Sequence, residues 1–421
     1  MERPLLKLHS HGRNLKKWSI AEANERSLMR VRSSGLFSLS HIISSYYNKV
    51  LLSAFVEKWH PETNSFHFRF GEMTITLDDV PHLVGLQVEG LAMHAVDKTR
   101  EECLAMVQRC LGATADVAEN KVTTNNRVEF EWLMKTFSEV VHGDSEERVD
   151  CCARAYLLYL LGSTLFADKT GTTVSVQFLT LLEDLGWVRD YAWGVRGLGH
   201  LYRQLGQASR RNCKQLSGYM SFLEAWIREH FPMFRHARDP AYTEDLPLAA
   251  RWLSRWETTM ETTYHYRGML DDLRPSQVVF DPYTDRRQVV ADVVFYTGCI
   301  RAVVVFEPYL PDRVLRQFGL VQLVPGPPLV PLRGSRGANS HSYSVVYAYM
   351  VKLARSCHEC RETSCDSAWS PMGVTPRLPS LVFDGLPLQG LTSSRRGAIY
   401  RECGRAQCSG FGHFGQCFGW D

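Results

Sequence analysis

"CCARAYLLYLLGSTLFADKTGTTVSVQFLTLLEDL", residues 151–185, decides the class of the fold. Tyr156, Leu157, Leu160, Leu161, Thr164 and Leu165 recur at the spacing of one helix face. The spacing predicts a long buried helix over about 147–166, a polar exit from Asp168 to Gly171, and a further helix from Val174 to about residue 185. The same letters spell Asp-Lys-Thr-Gly-Thr, the surroundings of the phosphorylated aspartate in cation pumps. A pump aspartate ends a buried strand and works with a separate Gly-Asp-Gly hinge and metal-binding carboxylates. The chain contains no Gly-Asp-Gly, and the residues before Asp168 follow helical spacing. Asp168 therefore reads as a capping residue and Lys169 as a helix-end lysine.

The wider composition agrees with a packed globular body. The chain has 421 residues, 45% hydrophobic and 22% charged, enough for one large domain or two medium ones. A membrane span needs about 20 consecutive apolar residues. The longest apolar run, Cys151–Ala167, is shorter and carries Arg154. The N-terminal stretch "MERPLLKLHSHGRNLKKWSI" is basic but holds no continuous apolar core or small-residue cleavage site, so neither secretion nor a membrane partner is expected. Net charge is +3, with Lys and Arg spread along the chain, so no electrostatic footprint for nucleic acid stands out.

Working outward, the fold class expected is mainly α, a multi-helix domain. Leu51, Leu52, Phe55, Val56 and Trp59 mark a helix stopped by Pro61. Phe66, Phe68 and Phe70, then Met73, Ile75 and Leu77, alternate on either side of Gly71, predicting a short β-hairpin near 65–76. Thr76 and Asp79 form a capping-box-like start, with Asp replacing the preferred Glu, for a helix ending near Gly85. Further helices are expected at about 98–111, 126–141, 190–208, 216–230 and 246–265. Between 290 and 324 the β-branched texture admits one or two strands as easily as a helix. Trp59, Trp187, Trp193, Trp226, Trp252 and Trp256 mostly sit on apolar faces and read as core.

The chemistry-bearing patterns are few. Asp78 and Asp79 are the best carboxylate pair, but neighbours on a helix point about 100° apart, and helix-start charge explains them better than acid–base work. No Walker loop, Gly-x-Ser-x-Gly elbow or His-Glu-x-x-His occurs. No catalytic or cofactor-binding residue is assigned, and no cofactor. Six of the twelve cysteines crowd the last stretch: Cys357, Cys360, Cys365, Cys403, Cys408 and Cys417. Cys403-x4-Cys408-x4-His413-x3-Cys417 approaches a zinc knuckle, although two of its three spacings depart from the usual Cys-x2-Cys-x4-His-x4-Cys. "GFGHFG", residues 410–415, matches a dinucleotide-binding pattern but neither follows a strand nor opens a helix. A boundary is placed at about residue 326, dividing an N-terminal extension (1–26) and a main domain (27–326) from a Pro/Gly/Cys-rich tail (327–421) expected to be poorly ordered.

Three blocks carry a family resemblance. The segment from "SGLFSLSHIISSYYNKVLLSAFVEKWHPETNSF" through "GEMTITLDDVPHLVGLQVEG", the middle segment "YLLYLLGSTLFADKTGTTVSVQFLTLLEDL", and "YLPDRVLRQFGLVQLVP" (309–325) resemble, in order, the plant mobile domain, also labelled the aminotransferase-like mobile domain. The resemblance implies a plant source, a nuclear location and two settings: transposon-encoded proteins, and cellular relatives of the maintenance-of-meristems type. The latter act in transposon silencing, gene expression, genome stability and meristem maintenance. The partners it implies are Ser/Thr phosphatases of the plant type 7 class and other mobile-domain proteins, with chromatin or nucleic acid as a further candidate. The phosphatase signatures Gly-Asp-x-His-Gly and Gly-Asn-His-Glu are absent. A pyridoxal phosphate enzyme would need a Schiff-base lysine on a large α/β sheet, which the helical texture does not offer. The expectation is a non-enzymatic nuclear interaction module. The alternative is a transposon-encoded accessory protein touching nucleic acid, with Arg395, Arg396 and the knuckle-like cysteines as its contacts.

Overall fold

Helix-capping chemistry and apolar spacing place most of the elements. In a computed structural model, the structure describes residues 3–329 apart from short stretches at 10–11, 20–23, 43–45, 92, 94–97, 254–259, 287–288 and 302–305. The chain runs β1 (Lys7–Leu8), α1 (Gly12–Lys17), α2 (Glu25–Ser33), α3 (Lys49–Val56), β2 (Trp59–His60), β3 (Ser65–Phe68), β4 (Gly71–Met73) and α4 (Asp79–Val84). Then follow α5 (Arg100–Leu111), α6 (Ala115–Lys121), β5 (Arg127–Glu129), α7 (Phe130–Phe137), α8 (Glu146–Ser163), β6 (Thr173–Ser175), α9 (Trp193–Ala208), β7 (Gln215–Leu216) and α10 (Met220–His230). The last described elements are α11 (Met260–Asp271), β8 (Gly298–Arg301), β9 (Phe306–Tyr309) and a 3-10 segment, Pro311–Phe318. The fold is mainly α, with small sheets between helices, as the spacing predicts.

Local signals explain the boundaries. Thr99 and Glu102 make a reciprocal capping box at the start of α5, and Gly112, at φ +67°, ends it. Ser145 accepts from Arg148 N to start α8, and Gly85, at φ +69°, closes α4. The expected hairpin exists as β3–β4, with Phe66 opposite Met73, and β2 adds a third antiparallel strand. Within 290–324 the strand reading holds: β8 and β9 pair antiparallel from Gly298–Tyr309 to Arg301–Phe306.

Four helix expectations need correction. Val174 starts no helix. It lies in β6, paired with Val128 of β5, and the chain then makes a 3-10 segment, Val176–Leu181. The predicted helix at 126–141 accordingly begins as strand and becomes α7 only at Phe130. The cause is packing: a Cβ on Gly162 would lie 2.6 Å from Val174 Cγ2 and 3.0 Å from Phe130 Cε1, so α8 passes directly over this strand pair. The β-branched Thr172–Val174 run fits an extended ribbon beneath it. The helix read through Trp59 stops at Val56, and Trp59 packs from β2 instead. The run predicted at 246–265 contains a 3-10 turn, Leu248–Arg251, and α11 from Met260.

One apolar core links these elements. α8 buries most of its length, α10 buries every residue, and Trp18 sits edge-on against Tyr156 and Tyr159. Trp59, Trp193, Trp226 and Trp252 are core as expected. Trp187 is not: it is 55% exposed at the turn before Val188. Trp256 falls outside the described residues. Among the described residues no helix is long and apolar enough to cross a membrane.

Candidate functional site

A fully buried constellation of ionisable side chains grows from the Thr-Ile-Thr-Leu-Asp-Asp run. Thr76 and Asp79 do form a capping box: Asp79 Oδ2 accepts from Thr76 N (2.6 Å) and Thr76 Oγ1 (2.7 Å), while Asp79 N donates to Thr76 Oγ1 (3.3 Å). The other carboxylate oxygen turns inward. Asp79 Oδ1 lies 3.0 Å from His230 Nε2, at the end of α10, and accepts from the Tyr283 hydroxyl at 2.7 Å. Asp79, His230 and Tyr283 are each 1% exposed. His230 Nδ1 is 2.8 Å from Val279 O, and since a carbonyl only accepts, that nitrogen carries a proton. His82 stacks on the Tyr283 ring at 4.4 Å.

Burial works to raise the Asp79 pKa, but the hydrogen bonds and charge of His230, together with Thr76, outweigh it and hold the carboxyl below the ordinary aspartate value. Burial, and then the neighbouring Asp79 charge, push the Tyr283 hydroxyl well above its usual value. Asp, His and Tyr in one chain of contacts resemble a catalytic relay. Here Asp79 is surrounded by four donors and both His230 nitrogens are engaged, so neither the carboxylate nor the imidazole has a free lone pair or proton to offer a substrate. Its work is to tie α4, α10 and the 279–283 segment together. Helix-start charge thus accounts for only half of Asp79.

Neighbouring residues of the same block are strapped to the end of the described chain. Glu72 and Arg313 form a bidentate pair, Nε–Oε2 2.7 Å and Nη2–Oε1 2.6 Å. Burial would raise Glu72, but His67, Arg313 and Ser65 hold it well below the usual carboxylate range. Gln317 brackets Thr74, accepting from its N and donating to its O, both at 2.8 Å. The Tyr309 hydroxyl donates to Val294 O and accepts from Leu77 N. Asn64 donates to Pro308 O at 3.0 Å. Glu307 is less well served: Arg203 stands 3.7 Å away and Asn64 3.4 Å, and burial pushes its carboxyl up to about 7.

The middle block behaves differently. α8 ends at Ser163, so Asp168 does not cap it. Asp168 Oδ1 accepts from Thr170 N (2.9 Å) and Thr170 Oγ1 (2.6 Å), and Oδ2 pairs with Arg127 Nη2 at 2.7 Å. Arg127 also reaches Thr173 Oγ1 and O, so this turn, with Gly171 at φ +74°, clamps β5 to β6. Asp168 is a turn residue at the surface, and Lys169 beside it is exposed.

The sequence reading missed His230 and Tyr283. The available signal was α10 itself, where Glu224, Arg228, Glu229 and His230 are embedded in an apolar run and all are buried. Glu224 and Arg228 pair at 2.9 Å, and Glu229 accepts from the Trp252 indole at 2.8 Å. Among the described residues no group of three or more His, Cys, Asp or Glu could hold a metal ion. The knuckle-like set Cys403, Cys408, His413 and Cys417, together with Cys357, Cys360, Cys365, Arg395 and Arg396, lies outside the described residues.

Comparison with known proteins connects these blocks. A family model described as "Plant mobile domain" matches residues 35–366. The chain is 36% identical to Protein MAIN-LIKE 1 of Arabidopsis thaliana over 331 residues, covering 77% of this chain and 64% of that protein. It is 35% identical to Protein MAINTENANCE OF MERISTEMS of the same plant over 333 residues, covering 77% and 68%. It is 31% identical to the Serine/threonine-protein phosphatase 7 long form homolog, also of Arabidopsis thaliana, over 314 residues: 70% of this chain but only 23% of that protein. The chain thus matches roughly two thirds, or less, of each of these relatives. No solved structure matches.

Proposed function

The chain belongs to the plant mobile domain family, and from that premise we propose that it is a non-enzymatic nuclear interaction module. It works with a Ser/Thr phosphatase of the plant type 7 class, in transposon silencing, gene-expression control, genome stability and meristem maintenance. The observation that carries this reading is the sealed state of its best acid–base cluster. Asp79, His230 and Tyr283 spend their hydrogen-bonding capacity on one another and on the backbone, at 1% exposure. Two blocks that carry the family resemblance, Gly71–Val80 and Tyr309–Pro325, meet in internal straps. That arrangement suits a rigid body presenting its outer surface to other chains. The phosphatase assignment draws further support from the relative named as a phosphatase 7 long form homolog, in which the matched stretch is a minor part of a longer chain.

The test is affinity purification of the tagged full chain from plant nuclei, with mass spectrometry of what is retained. A type 7 phosphatase should co-purify, and the tagged chain should be found in the nucleus. Failure to recover the phosphatase, under conditions that recover it with MAINTENANCE OF MERISTEMS, would sink the reading.

A further inference from the structure

We infer that the face built from the N-terminal strand, the 209–215 loop and the 168–171 turn is a binding surface for the phosphate backbone of nucleic acid. β1 and β7 pair in parallel, Lys7 beside Gln215 and Leu8 beside Leu216, so the basic N-terminal stretch lies along the "SRRNCKQL" loop. Lys7 N donates to Lys214 O at 2.8 Å, and His9 N to Leu216 O at 2.9 Å. Arg3 locks the loop from below, its guanidinium donating to the carbonyls of Ser209, Arg210 and Cys213. The charges of Lys7, Lys169 and Asp168 all bear on His9, which places the 168–171 turn within electrostatic reach of this strand.

Lys7, Lys169, Arg210, Arg211 and Lys214 are all exposed, and among the described residues none of them forms an ion pair. The carboxylates at the border are already engaged: Asp168 by Arg127 at 2.7 Å and Glu57 by Arg267 at 2.6 Å. Glu307 is buried beneath the face beside Arg203. Arg210 also feels the Glu307 carboxylate, so the uncompensated positive charge rests on Lys7, Lys169, Arg211 and Lys214.

A protein partner would need an apolar centre within a charged rim. None of the exposed large hydrophobics among the described residues falls in 3–9, 168–171 or 209–215. Exposed cations without an apolar anchor suit a phosphate backbone, where binding comes from counterion release and carries little sequence preference. This inference goes beyond the interaction reading above and does not depend on it. The face is invisible in the sequence because three separated stretches assemble it.

Fluorescence anisotropy of the full chain tests the proposal, with labelled duplex DNA of about 20 base pairs and single-stranded DNA and RNA of equal length. With one phosphate contact for each of the five cations, affinity for the duplex should fall about 500-fold between 50 and 200 mM salt. The combined variant Lys7→Glu, Arg210→Glu, Arg211→Glu, Lys214→Glu should lose at least that factor. Lys169→Glu alone should lower the salt slope by about one. Arg238→Glu, an exposed charge in the segment bridged to Trp252, should bind as the wild type does. Binding to any of the three nucleic acids with these dependences supports the proposal, and their ranking identifies the preferred one. No binding at low salt, wild-type binding by the combined variant, or displacement of the duplex by polyglutamate at equal charge would overturn it.

Discussion

Asp79 and Asp168 are both aspartates that the sequence places at helix ends, and they lead different lives. Asp168 lies at the surface, serving a turn and one arginine. Asp79 begins as an ordinary capping residue and then, through its second oxygen, joins two segments more than 150 residues away in sequence. The same local chemistry therefore has very different weight depending on what lies across the helix. Removing a partner from a buried, paired charge leaves the others unsatisfied, whereas a surface turn can re-solvate.

The comparison can be broken most forcefully by substitution at the two positions. Asp79→Ala should destabilise the fold by about 3–5 kcal/mol in urea denaturation, because His230 and Tyr283 lose their acceptor. Equal losses for Asp79→Ala and Asp168→Ala would erase the distinction.

Titration sharpens it further, because Asp79 and Glu307 are buried carboxyls shifted in opposite directions. The Asp79 pKa is depressed on folding, so its contribution is present above the ordinary aspartate value and is lost as pH falls through the folded value. Glu307 rises from 4.5 to about 7. Its neutral form is favoured by the fold, so stability is greatest below 4.5 and declines as pH climbs to about 7. The size of that decline is about 3 kcal/mol by linkage. Comparing the chain with Glu307→Gln at pH 5 and pH 8 isolates this term. A pH dependence unchanged by the substitution would refute it.

Gly162 probes the ribbon that Asp168 clamps. Alanine at a helix-interior glycine gains about 1 kcal/mol of propensity. Here its methyl would collide with Val174 and Phe130, so Gly162→Ala should instead cost about 1–3 kcal/mol of stability on thermal unfolding. The smallest effect belongs to Asp168→Ala, a loss of about 1 kcal/mol for the turn and its Arg127 bond, detectable by the same denaturation assay.

Much of the helical frame was legible because apolar spacing and local stop signals such as Gly85 located it, while the Thr99–Glu102 box, Ser145 before α8 and Gly112 after α5 fix its boundaries in the structure. The Thr76–Asp79 box was legible for the same reason. What escaped were tertiary decisions. Val174 is strand because α8 presses Gly162 against it, and His230 is functional to the core because Asp79 happens to face it. Trp187 looked like core in an apolar stretch, yet its turn carries it into solvent. The basic face also needed the β1–β7 pairing to exist at all.

The central claim is that Asp79 and His230 act on each other as a structural latch. A double-mutant cycle with Asp79→Asn, His230→Gln and the pair, followed by urea denaturation, tests it directly. The latch predicts a coupling energy of about 0.5–3 kcal/mol, the range for residues sharing one hydrogen-bond network. Additive losses, with coupling near zero, would contradict it.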